Sequence, residues 1–183
     1  MELIKQNSQT RIFKSLIVIF FGSILLAISA KVKIPFYPVP MTMQTFVVLF
    51  LGLSFGYKIG IATVGLYLIE GIIGLPVFSN SPERGVGLVY FTGPTMGYLI
   101  GFIFACFLAS FVKHEDSHLI ILLKLILSVS TIYILGILWL GIIIGWDKPL
   151  IELGVTPFLF AEIIKILLLT ILAKKVFKFR KFI

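Results

Sequence analysis

AEIIKILLLTILAKK (161–175) carries a glutamate and a lysine one helical turn apart at the head of a run of isoleucine, leucine and threonine. Glu162 and Lys165 stand at i and i+3, so a helix presents them on one face. The apolar run around them is about 20 residues long, which is what a bilayer core of about 30 Å asks of a spanning helix. An ionised side chain at that depth costs about 2.5 kcal/mol or more. Pairing lowers that cost, yet a buried ion pair stabilises less than apolar packing would. Ionisable residues inside a membrane helix therefore point to function by default. A carboxylate only accepts and an ammonium only donates. Together they suit a small ligand with N–H donors and a carbonyl or carboxylate.

The remainder of the chain has the same apolar character. Of its 183 residues 59% are hydrophobic and 13% charged, with a mean hydropathy of +1.12. Soluble domains carry about 25% charged residues. We expect an all-α integral membrane protein: one domain over 1–183, a compact bundle of six transmembrane helices at about 12–30, 43–55, 58–75, 93–112, 119–145 and 157–177. The alternating pattern of a membrane barrel is absent. Segment 43–55 is too short to span alone and must be tilted, re-entrant or shielded by neighbours. The run 12–30 follows Lys5, Arg11 and Lys14 and ends in AISA, as a signal peptide would. Its length and the membrane-embedded chain behind it favour an uncleaved first span.

The formal charge of +8 sits at the chain ends and short loops, which fits membrane topology and not nucleic acid binding. With six helices and both termini cytoplasmic, the inside carries Lys5, Arg11, Lys14, Lys58, Lys113, Lys124, Lys174, Lys175, Lys178, Arg180 and Lys181. The outside carries only Lys31, Lys33, Arg84 and Lys148. That bias supports a multi-pass protein in contact with lipid, with both termini inside.

Two long segments then face outward, as loops over a ligand pocket. KVKIPFYPVPMTMQTF (31–46) has prolines at 35, 38 and 40, which favour a stiff, extended backbone. GLPVFSNSPERGVGLVYFTGP (74–94) is long and rich in glycine and proline, and loops of that length are often functional. Helix 93–112 is expected to be capped by Thr92 or Gly93 with Pro94 at its first position. Its Gly93, Gly97, Gly101, Ala105 and Ala109 form a small-residue stripe suited to close helix packing. Thr156 and Pro157 look like the cap and first residue of the last helix. Glu162, five residues on, lies about 7.5 Å deep at 1.5 Å per residue.

Other polar residues are weaker candidates. Glu70 is either functional or a helix-pairing carboxylate. Thr42, Gln44 and Thr45 stand where the Pro-rich loop enters a helix; capping suits the threonines better than Gln44. His114 and His118 lie in the charged loop KHEDSH, where a solvated loop outweighs a metal site. Cys106 is single and suits a packing role. No cofactor or metal is expected. There is no G-x-x-x-x-G-K-[ST] and no G-x-S-x-G, so neither an ATPase nor a serine hydrolase is expected, and no enzyme is.

PVPMTMQTF (39–47), YLIEGIIGLPVF (67–78), GPTMGYLIGF (93–102) and PF with AEIIK (157–165) occur in an order that resembles the BioY family. These are biotin-specific substrate-capture (S) subunits of energy-coupling-factor (ECF) transporters. The resemblance implies a six-helix subunit that captures biotin outside the cell, while a transmembrane scaffold subunit and two cytoplasmic ATPase subunits supply the power stroke. The family's last helix reads Gly-Asp-x-x-Lys, and here Ala161 and Glu162 replace the first two residues. Met96 replaces a small residue and is expected to narrow the pocket wall.

On this resemblance, Glu162 accepts a ureido N–H of biotin and Lys165 donates to the ureido oxygen or braces Glu162. Gln44, Thr42, Thr95, Tyr98 and the backbone near Gly93 complete the polar contacts. Phe36, Phe78 and Tyr90 pack on the apolar part of the ligand. Arg84, with Lys31 and Lys33, attracts its carboxylate. Ser23, Ala27 and Ala30 offer a small-residue face to the scaffold. Two other functions stay open here: capture of another vitamin, and stand-alone proton-coupled transport through Glu162, Lys165 and Glu70.

Overall fold

The computed structural model describes residues 2–182. The side chains of Lys5 and Lys181, counted in the charge bias above, lie outside the described residues. Helix α1 is Glu2–Lys31; it starts earlier than expected because residues 2–11 hold no glycine or proline. A two-stranded hairpin follows, β1 (Lys33–Ile34) pairing antiparallel with β2 (Met41–Thr42). Then come α2 (Gln44–Ile72), α3 (Leu88–Phe91), α4 (Met96–Ala109), α5 (His118–Ile144), α6 (Leu150–Gly154) and α7 (Thr156–Val176), ending in a 3-10 turn, Phe177–Phe182. The short helices α3 and α6 were not anticipated.

Helix α2 is two arms. Gly56 breaks it with φ 76° and ψ 176°, backbone that residues with a β-carbon avoid. A β-carbon on Gly60 would lie 3.3 Å from the Cα of Gly52. A straight helix would hold residues eight apart at about 12 Å, so the chain reverses at Gly56 and the arms pack against each other. The expected helices 43–55 and 58–75 are these two arms. Among the described residues, four helices are long and apolar enough to cross a membrane by length and composition: Gln9–Lys31, Gln44–Ile72, which holds both arms of α2, His118–Ile144 and Thr156–Arg180, with Met96–Ala109 a shorter apolar helix.

Lipid tails are as apolar as leucine, so close packing holds such helices together more than exclusion from water does. The stripe on α4 serves that purpose. A β-carbon at Gly101 would come within 2.6 Å of the Ile132 Cα, and one at Gly97 would strike the Leu135 carbonyl, so α4 meets α5 backbone to backbone. On the other side, Gly52 admits the Cys106 carbonyl. Outward, the bundle shows large apolar side chains such as Phe13, Phe21, Ile142 and Ile171.

Pro157 stands in the first turn of α7 as expected, but both capping expectations need correction. Helix α4 begins at Met96, and Thr92 donates its hydroxyl to the Val89 carbonyl in place of capping. The Gly93 carbonyl is taken by the Trp139 indole N–H at 2.8 Å, which holds residues 93–95 in a turn. Thr156 donates to the Ile151 carbonyl instead of accepting from its own helix, because α6 ends directly above it. At the far end, Arg180 bonds the carbonyls of Leu53 and Ser110, tying the tail across the inter-helix turns.

Candidate functional site

Lys165 and Glu162 are both buried, and the ammonium lies 2.6 Å from Glu162 Oε1. Lys165 also donates to the Thr42 carbonyl at 2.7 Å and to Thr45 Oγ1 at 2.9 Å. An ammonium has three N–H donors, and all three are spent on the protein. Thr45 in turn donates to Glu162 Oε1 at 2.8 Å. One carboxylate oxygen is thus doubly held. The other, Oε2, is buried and meets no well-aligned hydrogen-bond partner among the described residues, with the Tyr133 phenol beside the same carboxylate.

Glu162 lines a small cavity at the hairpin end of the bundle, with about 60 Å³ of accessible volume. Every principal layer except α1 contributes. The hairpin gives Val39 to Thr42, the α2 start Gln44 and Thr45, the following loop Ser79 and Tyr90. The turn before α4 gives Thr95, helix α4 Tyr98, Leu99 and Phe102, helix α5 Ile132 and Tyr133, and α7 Phe158. Ser79 Oγ is a second buried polar atom with no partner among the described residues. Two orphaned atoms in one cavity leave an acceptor and a hydroxyl for an outside molecule, since unpaired buried polar groups are costly.

Aromatic rings build the walls in two layers. Tyr98, Tyr133 and Phe158 face the cavity. Tyr133 stacks on Phe158 at 6.3 Å and meets Tyr98 edge-on at 6.2 Å. Tyr98 donates its hydroxyl to the Gly154 carbonyl at 2.9 Å, so it offers the cavity its ring and not a polar tip. Tyr90 sits beside Thr95, and burial pushes its phenol above its ordinary value, keeping the proton on.

Several expected contacts fall elsewhere. Phe36 is exposed and packs edge-on to Phe158 from outside, and Phe78 is buried behind Tyr90, stacked at 4.6 Å. Neither lines the cavity, because smaller or nearer rings occupy the inner layer. Gly93 is turned to Trp139, and Met96 does not line the wall. Gln44 lines the cavity, but its amide donates to Tyr67 at 2.7 Å and its oxygen accepts from Thr42. Thr42 accepts from the Gln44 N–H, and its hydroxyl is thereby occupied.

The basic residues are corrected most sharply. Lys31 donates to the carbonyls of Phe78 and Ser81, and Lys33 to the Ser79 carbonyl and Asn80 Oδ1. Arg84 donates to the Pro38 carbonyl and sits 5.7 Å over the Tyr37 ring. None of the three lines the cavity; turn carbonyls lacking helical partners have taken their donors. Ser23 and Ala30 are buried inside the bundle, and Ala27 is half-buried. Ser23 donates to Glu70 at 2.8 Å, so this small-residue face closes on α2 of the same chain, and Glu70 is a helix-pairing carboxylate. His118 bonds the Thr170 carbonyl, His114 packs on Phe177, and no metal-binding cluster occurs among the described residues.

Ser79, Leu99, Phe102, Ile132, Tyr133 and Phe158 line the cavity without having been expected there, and Thr45, expected as a capping residue, holds Glu162. Phe158 had a signal: it lies four residues before Glu162, hence one turn above it on the same face. Tyr133 and Ser79 had none.

Fold and cavity together define a multi-pass helical membrane protein with a carboxylate-lined cavity at one end. Residues 4–182 match the BioY family, and the chain belongs to it. It is 34% identical to "Probable biotin transporter BioY" of Pyrococcus horikoshii, over 88% of this chain and 93% of that one. It is 32% identical to "Biotin transporter BioY" of Thermotoga maritima, over 84% and 90%. A crystal structure of the S-component for biotin from an ECF-type ABC transporter superposes with a TM-score of 0.74 at 25% identity, covering 95% of this chain and 93% of that chain.

Proposed function

We propose that the chain takes up biotin as the S component of an ECF-type transporter, and that the cavity floored by Glu162 is where biotin binds. The observation that carries the site is the pair of orphaned atoms, Glu162 Oε2 and Ser79 Oγ, in one cavity. A cyclic urea has N–H donors for the carboxylate and an oxygen for the hydroxyl. Glu162 Oε2 accepts a ureido N–H, and Ser79 donates to the ureido oxygen. Lys165 braces Glu162 and does not touch the ligand. Tyr98, Tyr133, Phe158, Leu99 and Phe102 enclose the thioether ring and chain.

The finer architecture follows from the same reading. Counting the arms of α2 separately and including α4, six helices enter the membrane. Both termini are cytoplasmic, as the distribution of lysine and arginine favours, and the cavity opens outward from the cytoplasmic membrane. A membrane scaffold subunit and two ATPase subunits on separate chains drive release inward. With Ser23 turned to α2 and Ala30 buried, the face of α1 left for a partner is its apolar one, with Leu16, Phe20 and Ile24 exposed.

Radiolabelled biotin binding to the purified protein, with unlabelled vitamins as competitors, tests the reading. Competition by biotin alone is expected. Displacement by another vitamin, or uptake driven by a proton gradient without ATPase subunits, would replace it.

A further inference from the structure

The two loops above the cavity are fastened to each other by cations reaching in both directions. From the hairpin side, Lys33 Nζ crosses to the Ser79 carbonyl at 2.8 Å and to Asn80 Oδ1 at 2.9 Å. From the end of α1, Lys31 Nζ crosses to the carbonyls of Phe78 and Ser81, both at 2.8 Å. In return, Arg84 reaches back from the second loop to the Pro38 carbonyl at 2.8 Å. Charge-assisted hydrogen bonds of this kind are stronger than neutral ones.

Their placement around Ser79 is specific. A residue has two soft backbone dihedrals, and each is set by the orientation of one flanking peptide plane. The plane before Ser79 carries the Phe78 carbonyl, held by Lys31; the plane after it carries the Ser79 carbonyl, held by Lys33. The Phe78 ring is buried between Tyr67 and Tyr90, which anchors the same point from below. The Ser79 hydroxyl is buried without a partner among the described residues, and Ser79 lines the cavity.

We propose that Lys31 and Lys33 are positioning residues for biotin binding: they lock both peptide planes of Ser79, aim its hydroxyl at the ligand, and hold the roof shut through the second loop. The inference rests on the cavity being the biotin site. It removes these lysines from contact with the ligand and makes them act through Ser79.

The test uses the purified full chain and measures dissociation of biotin and of its uncharged methyl ester. Lys31→Met and Lys33→Met are each expected to weaken both ligands about tenfold, roughly one hydrogen bond's worth, mainly by faster release. Lys33→Arg is expected to restore binding. In a Ser79→Ala background, Lys33→Met is expected to add little further loss. Thermal unfolding without ligand checks that each variant is folded. A loss confined to the acid form would overturn the proposal and make the lysines carboxylate attractors. Full additivity with Ser79→Ala, or unchanged affinity in both lysine variants, would overturn it equally. Wild-type protein that binds no biotin would remove the site reading and the proposal together, whereas normal wild-type binding with unaffected lysine variants removes the proposal alone.

Discussion

Thr45 donates to Glu162 Oε1 at 2.8 Å across 117 residues of chain, and the same hydroxyl accepts from Lys165 at 2.9 Å. The start of α2 is thereby riveted to the middle of α7, and the carboxylate is held with one oxygen spent and one free. Thr45→Val keeps the shape and removes both bonds. Biotin affinity is expected to fall about tenfold, on the order of one hydrogen bond, while Thr45→Ser retains it. Equilibrium binding of the three proteins checks this.

Glu162→Gln replaces the free acceptor's charge without changing its size. A hydrogen bond to a charged group is worth about 1.5–3 kcal/mol, so biotin binding should weaken about 10- to 100-fold. Isothermal titration reads the change. Affinity equal to wild type would show that the ligand does not use this oxygen.

Lys165→Met leaves a buried carboxylate without its counter-ion. Breaking one side of such a pair costs about 3–5 kcal/mol, and the unfolding temperature in detergent should drop accordingly. Glu162→Gln combined with Lys165→Met is expected to recover most of that stability but not biotin binding. Recovery of both would contradict the role given to Glu162.

Gly101→Val tests the contact between α4 and α5. A β-carbon there meets the Ile132 main chain at 2.6 Å, which a backbone cannot avoid by rotating a side chain. Overpacking of this kind costs about 1–3 kcal/mol. Phe102 and Ile132 border the cavity on either side of the contact, so weaker biotin binding should accompany the lower unfolding temperature.

Much of the architecture was legible because it depends on local composition. Runs of apolar residues marked the helices, and the break between residues 55 and 58 was visible before its geometry was known. The small stripe on α4 announced close packing, which Gly97 and Gly101 perform against α5. The ends were less legible. Thr92 and Thr156 are good caps by residue type, yet neighbouring carbonyls took their hydroxyls as donors.

The site divides in the same way. The acid–base pair stood out because i and i+3 share a face whatever surrounds the helix. Lys31, Lys33 and Arg84 were assigned to the ligand because a cation near an outer loop has many possible partners. Their acceptors here are main-chain carbonyls, which every residue carries and no motif marks. Ser23 and Ala30 were assigned to a partner because small residues admit any helix, the chain's own included. Phe36 and Phe78 were preferred over Tyr133 and Phe158 because the depth of a ring within a wall is not a property of its position in the chain.

By itself the sequence determined a polytopic helical protein, a helix break between residues 55 and 58 and a Glu162–Lys165 pair on one helix face. Each of these follows from hydrophobicity, backbone chirality or helical spacing within a few residues. Only the tertiary structure decided which polar atoms end without a partner. Glu162 Oε2 and Ser79 Oγ end unpaired among the described residues because segments far apart in the chain took up the Glu162 Oε1 and the Ser79 carbonyl, and that balance exists only once those segments have met.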